Sequence, residues 1–182
     1  SVITAVGIST SSYAFEGFSL GAVYSSGDFD TAGKELKGIA GGTSETVKGN
    51  VSEDVDFGSV FAEYTFAQGS TIGIEYIPGA ADVGAKSRTQ TQTNSQNASG
   101  TVTAKGEVSD HFTLYVEPTM MMTDTFGFYV KGGASRVTVN SLESQTSTTI
   151  SSVYGNQDVW GVTYGAGVKA YMGNFFAKVE HM

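Results

Sequence analysis

Seven stretches of this chain place apolar residues at every second position, and within them the runs Phe18–Tyr24, Val60–Phe66, Ile72–Pro78, Phe112–Met120, Phe126–Ala134, Trp160–Met172 and Phe175–Val179 carry no charge on that parity. A period of two is the geometry of a β-strand, where successive side chains point to opposite faces. The stretches are 16–28, 55–67, 70–82, 105–122, 125–139, 159–172 and 175–182. In the first, one face reads Phe18, Leu20, Ala22, Tyr24; in the sixth it reads Trp160, Val162, Tyr164, Ala166, Val168. The seventh switches to odd positions, Phe175, Ala177, Val179, as a two-residue turn at Gly173-Asn174 requires. A chain written this way is all-β and antiparallel.

The opposite parity holds Gly, Ser and Thr with a few Glu, Lys and Tyr. Both faces cannot meet water. In a soluble sandwich or a lipocalin-like barrel holding a small apolar ligand, the apolar face is turned inward. In a membrane barrel the arrangement is reversed, with apolar residues on lipid and a polar interior. Aromatic residues near the strand ends suit interfacial girdles, and small polar residues suit the narrow interior of about eight strands. Both observations favour an up-and-down transmembrane β-barrel. No run of 18 apolar residues occurs, and spanning strands need only about 9–11 residues.

Connection lengths alternate. Long stretches at 29–54, 83–104 and 140–158 are interleaved with short ones at Gln68-Gly69, Thr123-Asp124 and Gly173-Asn174. Up-and-down outer-membrane barrels have long external loops and short periplasmic turns, which puts the start of the chain on the periplasmic side. The last turn predicts Tyr171 opposite Phe176 and Lys169 opposite Lys178. A hairpin centred on Asp124 would set Glu117 opposite Lys131, and one centred on Gly69 would set Glu63 opposite Glu75. The inward face is thereby expected to gather Glu63, Glu75, Glu117 and Glu180 with Lys131, Lys169 and Lys178, with one lysine reaching across to serve both Glu63 and Glu75. Such a cluster is either a gate or ion path, or simply the pairing that buried charges require.

The segments Phe18-Ser-Leu-Gly-Ala-Val-Tyr24, Phe128-Tyr-Val-Lys-Gly-Gly-Ala134, Tyr164-Gly-Ala-Gly-Val-Lys169 and Phe176-Ala-Lys-Val-Glu180 resemble the small eight-stranded outer-membrane barrels of Gram-negative bacteria, the OmpA-type and opacity-type family. The resemblance covers 15–28, 55–82 and 108–182 and implies a bacterial outer-membrane location. It also implies insertion by the outer-membrane assembly machinery, contact with membrane lipid and lipopolysaccharide, and a last strand ending in an aromatic residue. Residues 1–14 are uncharged, with Ser12 and Ala14 in a small-x-small pattern, as in the end of a signal peptide. With 1–14 read as leader and 15–182 as barrel, about seven of eight strands are present, and the expectation is a barrel domain truncated before its closing strand.

The net charge of -8 disfavours nucleic acid, which asks for a basic stripe. No cysteine is present to form a disulfide or thiolate metal site. Ser109-Asp110-His111 is contiguous, so its side chains alternate in direction and make no triad by themselves. His111 as a rim residue of a lipid-modifying or proteolytic barrel is the enzyme alternative. No catalytic activity, metal or cofactor is expected. Asp28, Asp30, Glu53, Asp54 and Asp56 could meet a divalent cation at lipopolysaccharide, although a solvated acidic rim explains them as well. Ser87–Gly100 is a low-complexity polar run, and the three long connections are the expected contacts for an external ligand. The role that follows is envelope structure or surface contact, with a narrow transport pore as the alternative.

Overall fold

The structure, a computed structural model, describes residues 2–9, 16–39, 43–90, 100–145 and 156–182. These form nine strands and no helix: β1 (Val2–Ser9), β2 (Gly17–Ile39), β3 (Thr43–Thr65), β4 (Thr71–Gln90), β5 (Gly100–Glu117), β6 (Thr119–Met121), β7 (Phe126–Gln145), β8 (Gln157–Met172) and β9 (Phe175–His181). All described pairings are antiparallel. Sheet order runs β5-β4-β3-β2-β1-β9-β8-β7, and β5 also pairs with β7, so the sheet curls round on itself. β6 continues β5 beyond Pro118, whose missing N–H interrupts the ladder. The wall therefore has eight staves.

One of them was not among the seven stretches. Val2–Ser9, expected within a leader over 1–14, is a strand bonded on both sides, with Val6 opposite Ala22 of β2 and Ala177 of β9. It sits between β2 and β9 in the sheet. The physical reason is that an uncharged run of Val2, Ile3, Thr4, Val6 and Ile8 has strand propensity as good as any other segment here, and it satisfies two otherwise open edges. Val2 lies opposite His181, at the end away from the short turns. Ser12 and Ala14 lie outside the described residues.

The turns behave as their residues dictate. Gly69 and Gly173 take positive φ, 83° and 64°, where a Cβ would be strained. At the last turn Tyr171 faces Phe176 and Lys169 faces Lys178, as predicted. The β3–β4 hairpin differs: Glu63 faces Gly73, and Glu75 faces Phe61. The turn is centred one residue earlier than Gly69, with Thr65 opposite Thr71, so the two carboxylates are offset along the wall and not opposed.

The long connections are largely strand. β2 and β3 pair without interruption from Gly17↔Thr65 to Ile39↔Thr43, and β4 and β5 pair out to Gln90↔Gly100. Polarity alternates only in the lower parts of these strands, which is why periodicity stopped near residues 28 and 82 while the backbone continued. Of the expected loops 29–54, 83–104 and 140–158, residues 40–42, 91–99 and 146–155 lie outside the described set. Bulges at Ile77/Ala80 on β4 and Ser109/Phe112 on β5 fall at one level, with Gly79 at φ 95° and Asp110 at φ 52°. They bend the upper β4/β5 sheet at the mouth of the barrel.

The two faces are sorted without ambiguity. Phe18, Leu20, Tyr24, Leu114, Val116, Val130 and Val162 are exposed, Val162 at 83%. Ser19, Ser59, Glu63, Thr65, Thr113, Glu117, Lys131, Lys169, Lys178 and Glu180 are buried. This is the opposite of a lipocalin-like barrel: the polar parity forms the core and the apolar parity forms the outer surface.

Candidate functional site: the lumenal charge network

Every charged residue expected on the inner face is there, and together they fill the barrel's centre. β3 supplies Glu63, β4 Glu75, β5 Glu117, β7 Lys131, β8 Lys169, and β9 both Lys178 and Glu180. Inward parity delivers them, and the diameter of an eight-stave ring brings opposite walls within reach of a lysine.

The ions form two chains. In one, Lys169 Nζ and Lys178 Nζ both donate to Glu117 Oε2, at 3.1 and 2.8 Å, and Lys178 also donates to Glu63 Oε2 at 2.6 Å. In the other, Lys131 Nζ bridges Glu180 Oε1 at 2.9 Å and Glu75 Oε2 at 3.2 Å. The expected sharing is thus corrected: Glu63 and Glu75 take different lysines. Glu117 is answered by Lys169 and Lys178 across the lumen, and Lys131 turns to the other two carboxylates.

Two tyrosines join the chains. Tyr115 OH donates to Glu63 Oε2 at 3.1 Å while Lys131 Nζ sits 4.3 Å from its ring centroid. Tyr129 OH donates to Glu180 Oε2 at 2.7 Å, and Lys169 and Lys178 lie 5.1 and 5.7 Å from its ring. Each ring therefore offers its hydroxyl to one ion pair and its negative face to an ammonium. Glycines opposite make the room, since a Cβ on Gly73 would stand 2.5 Å from the Tyr115 ring. Both tyrosines were legible as inward-facing; their role was not, because parity says where a ring points and not what it bridges.

Below the ions, Phe61, Tyr171 and Phe176 pack with Val23 as the apolar part of the interior. Toward the long hairpins, Ser59 donates to Glu75, Thr113 and Ser135 hydrogen-bond at 2.8 Å, and Ser135 bonds Thr163. Glu117 and Lys169 are 0% exposed. Charges this far from water persist only when paired and hydrogen-bonded; Glu117 is paired through Oε2, which takes both lysines, while its Oε1 accepts no hydrogen bond. What the arrangement does chemically is cross-link opposite walls through a polar core.

The other candidate groups stay apart. Ser109 Oγ accepts from Asn140, which also donates to Glu107; Asp110 accepts from Tyr76 OH at 3.4 Å; His111 is half-buried at the bulge. Among the described residues no hydrogen bond joins Ser109, Asp110 and His111 into a relay. Asp28, Asp30, Asp54 and Asp56 are exposed on the outward parity beyond Tyr24, and the side chain of Glu53 lies outside the described set. No group of three or more His, Asp or Glu among the described residues could hold a metal ion. Comparison with protein-family models, with curated proteins and with solved structures found no match for this chain.

Proposed function

We propose that the chain is a non-enzymatic transmembrane β-barrel of the bacterial outer membrane, of the small eight-stranded OmpA-type and opacity-type kind. Its role is structural or contact-making through the long hairpins, and no open channel runs through it. One observation carries the reading: large apolar side chains cover the outside of the ring while charges occupy its centre. A water-facing surface carrying Phe18, Leu20, Tyr24, Leu114, Val130, Val162 and Tyr164 in one continuous band would aggregate, because patches far above a few hundred Å² are not left bare. In lipid the same band lowers the free energy.

The band has layers. Aliphatic positions such as Leu20, Val60, Ile74, Leu114 and Val130 lie between aromatic rows. Phe18, Tyr64, Phe66 and Phe128 are toward the short turns, and Tyr24, Tyr76, Phe112 and Trp160 toward the long hairpins. Phe18, Tyr64 and Phe66 stack edge to face at 5.1 and 5.2 Å. Two aromatic rows around an aliphatic band suit two membrane–water interfaces. Closure supports the reading too, since an open edge in hydrocarbon would leave backbone groups unbonded.

A lumen crossed by ion pairs at 2.6–3.2 Å favours a plug over a pore. Planar-bilayer conductance of the refolded protein tests this. The expected result is insertion without a steady nanosiemens-scale current; a stable wide pore would contradict the plug, and failure to enter detergent or lipid would contradict the membrane reading itself.

A further inference from the structure

The β2–β3 ribbon leaves the barrel without neighbours. β1 pairs with β2 only as far as Ser26, and β4 pairs with β3 only as far as Val60↔Tyr76. Beyond those points the ladder continues to Ile39↔Thr43 with no described strand on either side. At about 3.3 Å per residue, the whole of β2 is roughly 75 Å long, far more than a bilayer crossing needs. A two-stranded ribbon in water is only marginally stable, and open edges of this kind recruit further strands.

The β3 edge from Val51 to Ser59 is the side facing β4. The neighbouring β4 bends away from it through the bulge at Pro78-Gly79. The outward face of the ribbon beside that edge is acidic. Asp28, Asp30 and Asp56 share its outward parity on successive rungs and are exposed, with Asp30 accepting a 2.6 Å hydrogen bond from Ser52. Carboxylates gathered on one face of a sheet favour a cationic neighbour.

We propose that the β3 edge over Val51–Ser59 binds an extended cationic peptide, added as an antiparallel strand whose Lys or Arg residues recur at every second position. The spacing follows from the site: the aspartates share one face, so the cations that meet them must share one face of the added strand. Pairing is to β3 alone, because a strand antiparallel to β3 would run parallel to β4. Main-chain hydrogen bonds supply the docking and the aspartates supply the selection. This rests on the path of the ribbon and not on the membrane reading.

The test uses the full chain refolded in detergent micelles and a fluorescent peptide of about ten residues alternating Lys and Thr, with binding read by anisotropy. Binding is expected, with new hydrogen-exchange protection at the alternate amides of Val51–Ser59 that point away from β2. Three changes should each weaken it about tenfold: Lys gathered into blocks, backbone N-methylation, and the D28N/D30N/D56N variant. The variant alters only exposed side chains, and an unchanged lumen would be checked by its thermal unfolding. No binding, or equal binding of the N-methylated peptide, would overturn the proposal, the second by reducing it to charge attraction. Equal binding of a Gln-for-Lys peptide would overturn the charge selection.

Discussion

Val116 and Glu117 are consecutive on β5, yet the first is 48% exposed and the second 0%. In a water-soluble sheet the two would trade places. The inside of this barrel is held by specific ion pairs and tyrosine hydrogen bonds, each with a named partner. The outside is held by nothing specific; any apolar residue of similar size would serve. The inner face should therefore be sensitive to the removal of a single atom group, and the outer face to polarity alone.

The largest effect is expected inside. Glu117→Ala leaves Lys169 with Thr71 as its remaining described hydrogen-bond partner and removes one of two carboxylates from Lys178. Orphaning a buried charge costs about 3–5 kcal/mol, to be read from the urea midpoint in micelles. Val116→Arg on the outer face should cost about 2–4 kcal/mol if the site lies near the bilayer midplane, whereas Val116→Leu should be nearly silent. Thr113→Arg, two residues away on the inner face, should act instead through crowding and added lumenal charge. Equal unfolding profiles for the two arginine variants would break the contrast between faces.

Gly73→Ala sharpens it at smaller scale. The new methyl would meet the Tyr115 ring at 2.5 Å, and displacing a packed ring costs about 1–3 kcal/mol, with loss of the Tyr115–Glu63 bond. The equivalent change at Gly161, where an added Cβ meets nothing within 4 Å, should leave stability within experimental error in the same unfolding assay.

The smallest effect lies beyond the aromatic rim. The hydrogen bond from Arg136, at 2.6 Å, and another from Thr138 hold the exposed Asp158 carboxyl below the usual carboxylate range. A depressed folded-state pKa contributes stability above the unfolded value and loses it as pH falls through the folded one. Asp158→Asn should therefore shift thermal stability slightly at neutral pH, and the difference from the parent should vanish in acid. A difference that persists at low pH would point to packing instead.

The two faces were also unequally legible. All seven inner charges were placed by parity alone, because period two is read straight from polarity. Their partners were not, since which lysine meets which glutamate depends on stagger between distant staves. The β3–β4 turn illustrates the sensitivity: moving its centre by one residue slides Glu63 from Glu75 to Gly73. β1 escaped because Val2–Ser9 is uncharged on both parities, so it lacks the contrast that marks a half-polar strand and reads as a leader. The upper hairpins escaped for the converse reason. From Gly27 to Asp56 polar and small residues dominate both parities and the apolar ones, Phe29, Leu36, Ile39, Val47, Val51 and Val55, are sparse, so backbone pairing leaves only a weak trace in polarity.

The chain has a single tryptophan, Trp160, on the outer face beside Arg136 and 68% exposed. Its fluorescence in bilayers containing brominated lipids tests the inside-out barrel directly. The account predicts blue-shifted emission, strong quenching when bromines sit near the headgroup end of the acyl chain, and weak quenching by aqueous iodide. Water-like emission, quenched by iodide and indifferent to brominated lipid, would contradict it.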